Sequence, residues 1–112
     1  MATGTIKKVT NESTNTYCKM PDGTLLCCGW TSSWQSVASG TYKDVEFVFP
    51  KEFAGEPYIV CSLMSDSSGV DIGSITVAVY SVSRTGFTAR IYNNGSTQRA
   101  PKIMYIAMYS WA

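Results

Sequence analysis

Tyr17-Cys18-Lys19-Met20-Pro21-Asp22-Gly23-Thr24-Leu25-Leu26-Cys27-Cys28-Gly29-Trp30 is the stretch on which the fold turns. Met20-Pro21-Asp22-Gly23 carries the signature of a type I turn, with proline at its second position and glycine free to adopt left-handed backbone after it. The flanking residues 16–20 and 24–30 then read as the two arms of a β-hairpin. A two-residue turn at Asp22-Gly23 sets Cys18 opposite Cys27. A three-residue loop with a bulge sets Cys18 opposite Leu26. The placement of Pro21 favours the second register, which leaves the thiols free. Buried free thiols behave as small hydrophobes, and they suit a protein assembled in a reducing cytoplasm.

The same strand-and-turn grammar continues outward. Residues 42–49 alternate, with Val45, Phe47 and Phe49 on one face and Asp44, Glu46 and Val48 on the other, the mark of a half-buried strand. Pro50 ends it, and 52–57 forms a corner. Residues 58–65 are apolar on both faces. Residues 74–82 place Ile75, Val77 and Val79 on one side, and after a turn at 84–86, Phe87, Ala89 and Ile91 alternate with Thr88, Arg90 and Tyr92. The last strand, 102–111, sets Ile103, Tyr105, Ala107, Tyr109 and Trp111 against Met104, Ile106 and Met108. A strand apolar on both faces belongs in the middle of a sheet or between subunits. No stretch holds a helical period, so the fold class is all-β, a small antiparallel β-sandwich.

The chain has 112 residues, enough for one domain with a core of its own. Residues 1–15, rich in Thr, Asn and Ser, read as a polar linker, and 16–112 as the sandwich. Lys7 and Lys8 lead into polar residues rather than an apolar segment, so no signal peptide is expected. No apolar run reaches the roughly 20 residues of a membrane span. The net charge of +1 gives no footprint for nucleic acid. The charge is unevenly placed: beyond Asp71 there is no side-chain acid, while Arg84, Arg90, Arg99 and Lys102 are all positive. A solvated rim is the plain explanation, and a mild preference for anionic surface polymers the sharper one.

Chemistry has few candidates. There is no histidine, which removes the commonest general base and metal ligand. Cys27 and Cys28 are adjacent and point to opposite strand faces, which argues against a zinc cluster. Asp66 and Asp71 bracket a Ser/Gly loop without the dense ligand spacing of a calcium site. No metal, cofactor or enzymatic activity is expected. Aromatics remain, since sugars stack on Trp and Tyr through their apolar faces. Trp34, in a polar connection, and Tyr92 beside Asn93 and Asn94 with Arg99 nearby, are the candidate carbohydrate-binding residues, because loops carry function more often than strands. Core packing is the competing role for each.

Three phrases, taken in order, resemble the C-terminal tip domain of bacteriophage tail fibres. They are the hairpin with Asp22-Gly23-Thr24-Leu25 followed by Cys28-Gly29-Trp30, the Phe49-Pro50, Phe53 and Pro57 corner with Thr85-Gly86-Phe87 after it, and the close Tyr105-Ile106-Ala107-Met108-Tyr109-Ser110-Trp111. The ending departs from the family's pattern, with Tyr105 in place of its first aromatic and Tyr109 in place of a glycine. The resemblance implies a parallel homotrimer similar in fold to the trimeric H-type lectins, mounted on a virion and made in the cytoplasm of a bacterial host. It implies binding of a host cell-surface receptor, usually a glycan, and contact with another fibre or baseplate protein. Residues 1–15 are then the remnant of a shaft, and Tyr105, Tyr109 and Trp111 are expected at the trimer interface. The alternative is a structural fibre cap, baseplate piece or trimerisation domain that binds no receptor. More distant is a polysaccharide depolymerase using Asp66 and Asp71. Loops 66–71 and 93–99 are expected at one end.

Overall fold

Residues 6–9, 15–31, 34–64 and 74–112 are described by a computed structural model. The hairpin register comes first. β2 (Asn15–Lys19) and β3 (Thr24–Trp30) pair antiparallel with Cys18 opposite Leu26, the register of the three-residue loop. Gly23 takes φ +95°, and its amide donates to the Met20 carbonyl at 3.0 Å, closing the turn. The Asp22 carboxylate caps the loop by accepting from the Thr24 amide at 2.9 Å. All four cysteines are free.

The other strands are β1 (Ile6–Val9), β4 (Tyr42–Val48), β5 (Tyr58–Met64), β6 (Ile75–Tyr80), β7 (Gly86–Asn93) and β8 (Lys102–Ser110). They build two four-stranded sheets, β1-β4-β7-β6 and β2-β3-β8-β5. Every pairing is antiparallel apart from β1, which runs parallel to β4. β1 lies inside the stretch read from sequence as linker. β8 sits between β3 and β5, in the middle of its sheet, with one apolar face turned to the core and the other outward.

The alternating residues meet between the sheets. Val45 and Phe47 from β4 and Phe87, Ala89 and Ile91 from β7 face Leu25 and Cys27 from β3 and Ile103, Tyr105 and Ala107 from β8, all buried. The centre is aromatic: the Tyr105 ring lies 4.7 Å from Phe47 and 5.1 Å from Phe87, with Phe49 and Phe53 beside them. The Tyr105 hydroxyl donates to Asn15 Oδ1, while Asn15 Nδ2 donates to the Val48 carbonyl, so a buried amide ties β2 across to the opposite sheet. Tyr105 was expected at a subunit contact. It is a core residue instead, because its phenol has a partner inside the sandwich, and burial raises its pKa.

Trp111, expected at the same contact, packs against residues of its own chain. Its amide donates to the Gly23 carbonyl at 3.1 Å, it bridges to Phe53, and Lys19 Nζ stands 4.7 Å from its ring centroid. Tyr109 lies at the open end of β8 with its ring 6.1 Å from that of Tyr58.

Candidate functional site

The outer faces of the two sheets differ in kind. On β2-β3-β8-β5, register stacks rows of side chains that point away from the core: Cys18, Leu26, Met108 and Tyr58; then Thr16, Cys28, Ile106 and Val60; then Trp30, Met104 and Ser62; then Lys102 and Met64. Tyr58 is 76% exposed, Val60 70%, Ile106 53% and Met108 48%. Residues of these types at such exposure, side by side, leave a contiguous apolar surface in water, the kind of patch that marks an interaction site on a monomer. A shallow depression lined by Trp30, Val60, Met104 and Ile106 lies within it.

The outer face of β1-β4-β7-β6 is polar and cross-linked. Asp44 and Arg90 are directly opposite in the β4–β7 ladder. Arg90 Nε donates to Asp44 Oδ1 at 2.7 Å and Nη2 to Oδ2 at 3.1 Å, a bidentate pair. The Tyr80 hydroxyl donates to Asp44 Oδ2 at 2.6 Å, and the guanidinium lies 4.0 Å from the Tyr42 ring centroid and 5.0 Å from that of Tyr80. The hydrogen bonds from Arg90 hold the Asp44 carboxyl well below the usual carboxylate range. A carboxylate depressed in the folded state stabilises it at every pH above the unfolded value of about 3.9, and loses that contribution as pH falls toward the lower folded value. Urea midpoints of the parent are therefore expected to drop below about pH 4. Asp44→Asn should be less stable at neutral pH, with a flatter acid limb. An acid limb as steep as the parent's would show that other carboxylates carry the effect.

The candidate carbohydrate-binding residues fall on three different surroundings. Trp34 is exposed in the connection between β3 and β4, and Lys102 Nζ stands 4.6 Å from its ring centroid. Tyr92 lies on the polar sheet face with its ring 6.2 Å from that of Tyr42. Asn93 is wholly buried. Its amide donates to the carbonyls of Val37 at 2.8 Å and Thr97 at 2.9 Å, and its Oδ1 accepts from the Gly95 amide at 3.0 Å. Asn93 thus fastens the connection at 34–41 to the loop at 94–101 and is closed to any ligand. Arg99 joins the same clamp through paired backbone bonds with Val37, and Asn94 is exposed, its amide donating to the Ser74 carbonyl. Asp66 and Asp71, with their loop, lie outside the described residues. Lys102 was absent from the sequence-based set; its place after Pro101 gave no sign that it reaches Trp34.

The thiols report on which surfaces are covered. Burial pushes the Cys27 thiol up to about 11 and that of Cys61 to about 12, whereas Cys18 is exposed and Cys28 lies on the apolar outer face. With Ellman's reagent at pH 8 we expect Cys18 to react fast and Cys27 and Cys61 to stay silent until denaturant is added. Rapid reaction of Cys61 would mean that β5 is not seated on the core.

No protein-family model matches the chain, and no curated protein matches it. Solved structures do share its fold. A Pseudomonas aeruginosa R1 pyocin fibre comprising C-terminal residues 323–701 superposes with a TM-score of 0.71 at 20% identity, over 88% of this chain. This chain spans 27% of that fibre fragment. An N-truncated R1-type pyocin tail fibre superposes with a TM-score of 0.60 at 19% identity, covering 85% of this chain and 84% of its own.

Proposed function

We propose that this chain is the receptor-binding domain of a phage-type tail fibre, acting as a homotrimer that attaches a particle to carbohydrate on a bacterial surface. The observation that carries the reading is the apolar outer face of β2-β3-β8-β5, on a fold shared with pyocin fibres. In water that face is an aggregation liability, and in a fibre it is what three copies bury against one another. A standard interface covers about 800 Å² per partner, centred here on the exposed side chains of Tyr58, Val60, Ile106 and Met108. The subunit contact is then formed by Ile106, Met108, Val60 and Tyr58, on the opposite side of β8 from Tyr105.

The role is binding rather than turnover. The chain lacks histidine, Asp44 is engaged by Arg90 and Tyr80, and Glu52 pairs with Arg84. Trp34, at an exposed end, offers a ring for a sugar. Three such sites on one rigid body raise avidity by roughly 10²–10⁴ when they engage together. The particle is assembled in the host cytoplasm, and the rest of a fibre or a baseplate protein is the other partner.

The test pairs two measurements. Light scattering on a sizing column should give three times the subunit mass, with and without reductant. The trimer should bind envelopes from some members of a panel of bacteria, and soluble polysaccharide from those envelopes should compete. A trimer that binds none of them is a fibre cap. A monomer removes the assembly on which the reading depends.

A further inference from the structure

Among the described residues, Lys102 has an aromatic ring rather than a carboxylate beside its charge. Of the four positive side chains beyond Asp71, Arg84 pairs with Glu52 and Arg90 with Asp44. Lys102 pairs with no carboxylate among the described residues. Its ammonium stands over the exposed ring of Trp34, and it lines a shallow cavity with Trp30, Met64 and Met104. Lys102 is therefore common to two indole surfaces, both with a large fraction open to solvent. It lies four residues along β8 from Ile106, about 13 Å at the rise of a strand, at the rim of the apolar face rather than its centre.

The arrangement is held from beneath. The amide of Gln35, next to Trp34, donates to the Pro101 carbonyl, next to Lys102, at 2.7 Å. Val37 and Arg99 bridge one step further on, and Asn93 closes the clamp. Trp34 and Lys102 are thus brought together by backbone bonds and need little ordering when a ligand arrives.

We propose that Trp34 and Lys102, with Trp30, form a subsite for a carboxylated pyranose, an acidic sugar whose ring packs on indole while its carboxylate pairs with the Lys102 ammonium. The chemistry follows from the parts. An aromatic surface accepts the apolar face of a sugar ring. A cation partnered by a ring rather than a carboxylate can receive an anion without first breaking an ion pair. Ammonium on a flexible stem takes a single carboxylate as a point charge, with no demand for bidentate geometry. This inference rests on the reading of the chain as a glycan-binding fibre domain, and it names the sugar class.

Glucuronate, galacturonate and N-acetylneuraminate oligosaccharides, each beside its carboxyl-reduced counterpart, are the probes, titrated against the full chain. At least one acid form should bind, at least about tenfold more tightly than its reduced counterpart, the margin of one charge-assisted hydrogen bond. Raising the salt should narrow that margin. Lys102→Met should erase the preference for acid while leaving melting and the weaker binding of the reduced sugar in place, and Lys102→Arg should restore most of it. Trp34→Ala should weaken both forms. Equal binding of acid and reduced forms would overturn the assignment to an acidic sugar and leave glycan binding standing. An acid preference that survives Lys102→Met would overturn the subsite. Failure of every saccharide, acid or neutral, would overturn both.

Discussion

Ile106→Asp is expected to turn the proposed trimer into folded monomers. Ile106 lies at the middle of the apolar face, directly opposite Cys28 on one side and Val60 on the other, with Met104 and Met108 two residues away along the same strand. In the subunit its side chain is 53% exposed, so a charge there meets water and disturbs little of the fold. The change in strand preference is within about 1 kcal/mol. In the assembly the same carboxylate is stripped of water with no partner, at a cost of several kcal/mol for each subunit. The lost apolar burial adds about 25 cal/mol for every Å² that no longer leaves water. Light scattering should show the mass fall threefold while the far-ultraviolet circular dichroism keeps its β signature. Cys28, which the proposed trimer would cover, should then join Cys18 as a fast-reacting thiol. Thr88→Asp, on the outer face of the other sheet, should leave the mass alone. A trimer that tolerates Ile106→Asp would mean that the subunits meet elsewhere.

Which face of β8 turns outward was not legible in the sequence, and the reason is physical. Ile103, Tyr105 and Ala107 are no more apolar than Met104, Ile106 and Met108, and β3 repeats the ambiguity, with Leu25 and Cys27 against Leu26 and Cys28. The tie is broken by the Tyr105 hydroxyl, which needs a buried acceptor and finds one in Asn15, ninety positions away in sequence. Asn15 had been counted with the polar linker. Where one face is plainly polar the sequence was enough: the alternation in β4 and β7 located Val45, Phe47, Phe87, Ala89 and Ile91 in the core, and Pro21 with Gly23 set the hairpin register. β1 gave no such signal. Four residues with two adjacent lysines make a strand only because the edge of β4 offers its backbone, and backbone pairing leaves no pattern in side chains. The site followed the same rule. Trp34 could be singled out as an aromatic in a polar connection, but its neighbour Lys102 is supplied by the clamp between 34–41 and 94–101, which is written in hydrogen bonds to main-chain carbonyls.

That clamp makes Asn93 the side chain whose loss should cost the end of the sandwich most. Asn93→Ala removes the side-chain partners of the Thr97 carbonyl and the Gly95 amide and one of the two donors on the Val37 carbonyl, which keeps its bond from the Arg99 amide. An unsatisfied buried group costs about 1–3 kcal/mol, and since the Val37 carbonyl keeps one donor and the Thr97 and Gly95 groups are only part-buried, a loss of about 1–3 kcal/mol in unfolding free energy is expected. Asn93→Asp should be worse at neutral pH, because a carboxylate would face two carbonyl oxygens to which it cannot donate. Protonation supplies a donor and removes the charge, so the pKa of this Asp is raised in the folded state, and the deficit should shrink as pH falls. Binding separates the two explanations for the residue. If Asn93 is scaffold, Asn93→Ala lowers stability and sugar binding together, since Trp34 loses its fixed position over Lys102. Asn94→Ala, exposed on the same loop, should leave the melting temperature unchanged. If Asn93→Ala instead melts like the parent and loses only binding, the amide contacts the ligand directly, and the closed geometry of the clamp must open for it to do so.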